Sequence, residues 1–192
     1  MYPIELSLKD DTKVVIRPLL DEDYISMREF FSAIPREDLF ICKDDVVRWE
    51  PIENWFVHLS HERVVELVTL RNNEILAKGT LYAQDRYCLH AAELKLIVRP
   101  DCRGLGIGSR MFDLLFHAGL SYSFHKMISR YFTDNLSFIN ILGHYDFEPE
   151  TVLQNYVLYE AANEWKDLVT ASCNMRIRAA DLKLQVHTAR HP

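Results

Sequence analysis

The spacing of hydrophobic positions changes along the chain, and the changes mark its elements. Thr12 to Ile16 (TKVVI) is a β-branched run closed by Arg17-Pro18 and reads as a strand. Asp21-Glu-Asp then offers an N-cap and an acidic first turn for a helix carrying Tyr24, Met27, Phe30 and Phe31, ending near Pro35. Residues 36–50 read as irregular chain or short helix, and Pro51-Ile-Glu-Asn-Trp-Phe as the proline-started turn of another helix. Arg63–Leu70 and Glu74–Ala83 are two strands, joined where Asn72-Asn73 tolerate a left-handed turn.

The next unit carries the most information. Ala92 to Val98 alternates, with Ala92, Leu94, Leu96 and Val98 on one face and Glu93, Lys95 and Ile97 on the other. Pro100 ends the strand and the loop DCRGLGIG follows. From about Gly106, Ile107, Met111, Leu114, Leu115 and Ala118 take helical spacing. Lys126–Phe132 reads as a strand, Asn135–Leu142 as a helix and Gln154–Tyr159 as a strand. In the tail, Ala161–Val169 fits a helix and Lys183–Val186 a short strand. The boundaries read as one domain over residues 1–162 and a C-terminal extension over 163–192. Three readings of that extension stay open: it packs on the domain, it mediates a homodimer, or it stays loose.

Composition narrows the class. The chain has 192 residues, 48% hydrophobic and 26% charged, values of an ordinary globular domain. No apolar run approaches the roughly 18 residues of a membrane span, and the N-terminus lacks a signal-peptide pattern. A net charge of −6 argues against nucleic acid and suits a cationic acceptor such as an amine. Residues 163–192 carry +2, which leaves −8 on residues 1–162. Cys42, Cys88, Cys102 and Cys173 are scattered, as free thiols in a reducing compartment are, so a cytoplasmic protein is expected.

Three of the six glycines, Gly104, Gly106 and Gly108, fall within five residues. A glycine-rich loop between a strand and a helix start suits a pyrophosphate, because the first helical turn leaves N–H groups unpaired beside a partial positive charge. Gly108-Ser109-Arg110 lacks the Gly-Lys-Ser/Thr of a Walker loop, and no glycine lies three residues after Gly106 or Gly108 as a dinucleotide fold requires.

What remains is Arg103-Gly-Leu-Gly-Ile-Gly, an R-x-x-G-x-G match. Here the chain resembles the GNAT superfamily of acyl-CoA-dependent N-acyltransferases. LKLIVRPDCRGLGIGSRMFDLL is similar to that family's central strand, pyrophosphate loop and following helix. Asp134-Asn135, with Phe147 twelve residues after the asparagine, is similar to its Asn…Gly-Phe segment, although Asp146 replaces the usual glycine. The resemblance covers roughly residues 12–160. It implies an α/β fold with a mixed, largely antiparallel sheet splayed at the fourth strand, and helices on both faces. It further implies acetyl-CoA as cosubstrate, with main-chain groups of Leu96, Ile97 and Val98 on the pantetheine arm. The amides of Arg103, Gly104, Leu105, Gly106, Ile107, Gly108 and Ser109 would hold the pyrophosphate, and Asn135 would lie near the thiol.

An amine must be neutral to attack a thioester, and a lysine amine has a pKa of about 10.4. Glu93, on the strand leading to the loop, is the candidate general base. The competing reading is an exposed carboxylate balancing Lys95 or Lys78. Ala92-Glu93 before an apolar strand, and IRPLLDEDYISMREFFSAIP, also resemble the Pat-type protein lysine acetyltransferases, whose catalytic glutamate occupies this place. The tyrosine that serves many family members as general acid would fall at Leu142, so that role stays unassigned. Tyr131 and Tyr145 are better explained by packing.

His58-x-x-His61 lacks further ligands for a metal, Cys102 has no activating partner, and Trp49, Trp55 and Phe56 read as core cover. The expected function is acetyl transfer from acetyl-CoA to a protein lysine or small amine, by direct attack in a ternary complex without metal, membrane or nucleic acid. A non-catalytic acyl-CoA-binding regulator is the alternative.

Overall fold

The computed structural model describes residues 2–36, 38–41, 64–84, 87–159 and 162–176. The readings of Pro51–Phe56, His58, His61, Trp49 and Lys183–Val186 lie outside them. The first strand, β1 (Ile4–Ser7), was not expected; it pairs antiparallel with β2 (Lys13–Pro18). A 3-10 turn (Asp21–Asp23) leads into α1 (Tyr24–Ser32), and a second 3-10 turn spans Asp38–Ile41. Strands β3 (Val64–Arg71) and β4 (Glu74–Ala83) form a hairpin whose Asn72 and Asn73 take φ of 50° and 66°, the left-handed turn that asparagine tolerates. Then come β5 (Ala91–Val98), α2 (Ile107–Ser121), β6 (Lys126–Phe132), α3 (Leu136–Gly143), β7 (Glu148–Tyr159) and β8 (Glu164–Asn174).

These strands form a mixed sheet in the order β1-β2-β3-β4-β5-β6-β8-β7. The β5–β6 pair is parallel and runs over three residues, Ala91 to Glu93 against Lys126 to Ile128. The added β1 makes this the fifth strand rather than the fourth. The tail reading is corrected: residues 164–174 are a strand, not a helix, hydrogen-bonded to β6 on one side and β7 on the other. Its Leu168-Val169-Thr-Ala171-Ser-Cys173 alternates with a period of two, which the lone aliphatic pair Leu168-Val169 disguises as a helical patch.

The described residues fall into two compact units, one within Met1–Tyr82 and Leu94–Leu115, the other within Ala83–Glu93 and Phe116–Pro192. In the first, α1 packs Met27, Phe30 and Phe31 on Val68, Leu70 and Ile97 of the sheet. On the opposite sheet face α2 approaches so closely that a Cβ on Gly79 would lie 2.7 Å from Leu115 and 3.1 Å from Met111. Helices therefore cover both sheet faces in that unit. In the second, Met127, Ser129, Tyr131, Val169, Ala171 and Cys173 form a buried face. The alternate positions Lys126, Ile128, Arg130, Thr170 and Ser172 are half-buried or exposed.

Candidate active site

The glycine loop is built by backbone conformation. Gly104 and Gly106 sit at φ of 78° and 94°, a region costly to residues with a Cβ. Gly108 lies inside α2, so its place in the cluster reflects the helix start rather than a turn. The first intrahelical bond of α2 is donated by the Arg110 N–H to the Gly106 carbonyl. The N–H groups of Ile107, Gly108 and Ser109 therefore point out of the helix end, with no side chain at Gly104, Gly106 or Gly108 in front of them. This donor set fits a pyrophosphate.

Neighbours of the loop fix it from several sides. Arg99, at the end of β5, binds Asp101 through two hydrogen bonds of 2.7 and 2.6 Å and also pairs with Glu74. The Arg99 bonds hold the Asp101 carboxyl down at about 2. Cys102 is buried, and burial together with the Asp101 charge pushes its thiol up, so it carries little thiolate. Arg103 turns back along the strand: its Nε donates to the Val98 carbonyl (3.1 Å) and its Nη2 to Asp38 (2.6 Å). Lys9, in the β1–β2 turn, donates its N–H to the Leu105 carbonyl at 3.3 Å. Its Cε lies 3.9 Å from where a Gly106 Cβ would stand. The sequence holds no signal for Lys9 or Asp38, because neither is near the loop along the chain.

Upstream on β5, Leu96 and Ile97 are buried and Val98 half-buried. Glu93 is 8% exposed, so it is not an exposed strand carboxylate. Its Oε1 lies 3.7 Å from Arg130 Nη1, and its Oε2 accepts a long 3.5 Å bond from the Gln84 amide. Of the two lysines weighed against it, Lys78 is buried and bonds Glu66 (3.0 Å) and Thr80 (2.6 Å), while Lys95 stands over the Tyr82 ring. Glu93 and Ile128 are register partners and Arg130 lies two residues on, so all three share one sheet face.

Asn135 is the N-cap of α3, and its side-chain oxygen accepts the Phe138 N–H at 3.2 Å. Leu142 is buried. Tyr145 packs on Phe116 with ring centroids 4.7 Å apart, and Tyr131 is buried near Phe138 with its phenol pushed up by burial. Both are placed by packing. Asp146 takes φ of 57°, which explains why glycine would serve there and how aspartate is tolerated. No cluster of three metal-ligating side chains occurs among the described residues.

The site is thus a strand that runs into a glycine-rich loop at a helix start, with donors that fit an anion, in a mixed sheet whose β5–β6 pair is parallel. Residues 24–141, more than half of the chain, match the model of the Acetyltransferase (GNAT) family. The chain belongs to that family and is an acetyltransferase, a class that takes its acetyl group from acetyl-CoA. Solved structures agree in fold. An N-acetyltransferase from Staphylococcus aureus Mu50 superposes with a TM-score of 0.72 at 17% identity, over 84% of this chain and 98% of that one. YncA from Salmonella typhimurium, a putative acetyltransferase solved with its cofactor acetyl-CoA, gives 0.70 at 16%, over 84% and 94%. The GNAT domain of S. lividans PAT gives 0.70 at 13%, over 90% and 96%.

Proposed function

We propose that this acetyltransferase moves the acetyl group of acetyl-CoA directly to a primary amine, on a protein lysine or a small molecule, with Glu93 as general base. The observation that carries the reading is the chemistry of β5: a nearly buried carboxylate at Glu93, ten residues before the Arg103 that opens the anion cradle. In this reading the amides of Arg103 to Ser109 hold the pyrophosphate and the main chain of Leu96 to Val98 holds the pantetheine arm. Asn135, whose side-chain oxygen accepts the Phe138 N–H, is assigned in the same reading to the thiol end of the arm. Glu93 takes the ammonium proton, directly or through one water. The amine nitrogen then bonds the acetyl carbon, the C–S bond breaks, and the CoA sulfur leaves with its electron pair. The nitrogen's second proton passes to that sulfur or to water to leave the neutral amide. A CoA thiol, comparable to cysteine at about 8–9, leaves without a dedicated acid.

The described cysteines, Cys88, Cys102 and Cys173, are free thiols, which supports a reducing, cytoplasmic setting. Thiol release on mixing acetyl-CoA with an amine panel tests the reading. The expected result is amine-dependent release that falls about 10²-fold or more in Glu93→Gln, while calorimetric binding of CoA is retained. Tight CoA binding without release from any amine would instead make the protein an acyl-CoA-binding regulator.

A further inference from the structure

The half-open face of the second unit carries a charge pattern that the base alone does not use. Its cations are tied off at both ends. Lys126 bonds Glu150 at 2.5 Å, with Ser172 on the same carboxylate oxygen at 2.7 Å. Lys166 bonds Asp134 at 2.5 Å and stands over the rings of Phe132 and Tyr159. Beside it Phe132, Val157 and Leu168 form an apolar cluster. Arg130 lies between these ends, opposite Thr170 on β8. Its side chain is 50% exposed, and its ion-pair partner among the described residues is Glu93, 3.7 Å from Nη1. That distance exceeds a hydrogen bond, so the fork of five N–H donors is only loosely engaged.

The two groups are unequally buried, with Glu93 at 10% side-chain exposure and Arg130 at 50%. A molecule bearing an amine and an anion a few bonds apart matches that order, its amine inward on the carboxylate and its anion outward on the guanidinium. A planar guanidinium suits a carboxylate in particular, since it offers two parallel N–H bonds. A long protein lysine carries no anion near its amine and leaves Arg130 without a role.

We infer that Arg130 is a specificity-determining residue and that the acceptor is a small zwitterionic amine, an amino acid or a close relative, whose carboxylate it binds. This rests on the proposed function, with Glu93 receiving the ammonium proton of the same molecule.

The test compares kcat/KM for α-amino acids with that for the amine left when each is decarboxylated, alongside a lysine peptide. The wild type is expected to favour the amino acid by about tenfold or more, the discrimination of one charge-assisted bidentate pair. Arg130→Gln is expected to bring the ratio near one, and Arg130→Lys to keep part of it. Arg130 is half-exposed and outside the buried face, so the variants fold; circular dichroism checks this. A wild-type ratio near one, a preference for the lysine peptide, or an unchanged ratio in Arg130→Gln would overturn the inference while leaving the proposed function standing. Absence of transfer to every amine would overturn both.

Discussion

At the scale of single residues, charged groups of the first unit divide into those that build and those that bind. Arg17 and Asp23 build: two hydrogen bonds of 2.6 and 2.7 Å join them, and Asp23 also accepts the Leu20 N–H at 2.9 Å. The sequence offers the triplet Asp21-Glu-Asp as cap and acidic first turn. In the structure Asp23 is the N-cap residue of α1 but makes no side-chain bond to that helix, its carboxylate reaching back to Arg17 and the Leu20 N–H instead. Burial pushes the Asp23 carboxyl up, yet Arg17 and the Leu20 amide outweigh it and hold it below the usual carboxylate range. A carboxyl lowered in the folded state stabilises at pH above its unfolded value of about 3.9, and loses that contribution as pH falls through the folded value. Asp23→Asn is therefore expected to cost about 2 kcal/mol in urea unfolding at pH 7, and to match the wild type below the folded value. Lys9 binds, in our reading. Its ammonium carries positive charge to an anion cradle, so Lys9→Ala is expected to raise KM for acetyl-CoA about threefold to tenfold with kcat held, a loss that added salt diminishes.

At the scale of elements, most of what positions the site was legible in the sequence. The alternation of Ala92–Val98, the proline after it and the glycine spacing define β5, the loop and the start of α2, because each reflects local backbone geometry. What was not legible depends on partners distant along the chain. β1 is a four-residue strand, Ile4–Ser7, whose existence depends on β2. β8 shows a clear alternation only once Ala171 and Cys173 are counted as buried, which their place between β6 and β7 makes them. The loop itself gives a sharp test. Gly106→Ala forces a Cβ onto φ of 94° and is expected to cost about 1–2 kcal/mol of stability and to raise KM for acetyl-CoA at least tenfold. Gly143→Ala is the control: apart from its chain neighbours and its own helix backbone nothing lies within 4 Å of an added Cβ there, and stability is expected to stay within about 0.5 kcal/mol.

At the scale of the whole molecule, the net charge of −6 reads differently once the structure is known. It suits an amine, but many of its acidic groups near the candidate site are already paired: Asp38 with Arg103, Glu74 and Asp101 with Arg99, Glu150 with Lys126, Asp134 with Lys166. In the proposed reading the acceptor is therefore chosen by individual groups on the face that holds Glu93, not by the overall charge, and composition could not reveal them. No described helix is long and apolar enough to cross a membrane.

In the proposed reaction Glu93 removes the acceptor's proton. A base is needed only while the amine is protonated, and becomes dispensable as pH approaches the amine's own value, about 10.4 for a lysine-like amine. The most direct measurement is kcat/KM for one such amine, in wild type and Glu93→Gln, from pH 6.5 to 10.5. With Glu93 as the base, the variant's deficit is expected to be about 10²-fold or more near pH 7 and to shrink steadily toward the alkaline end. A deficit that stays constant across the range, or none at all, would contradict it.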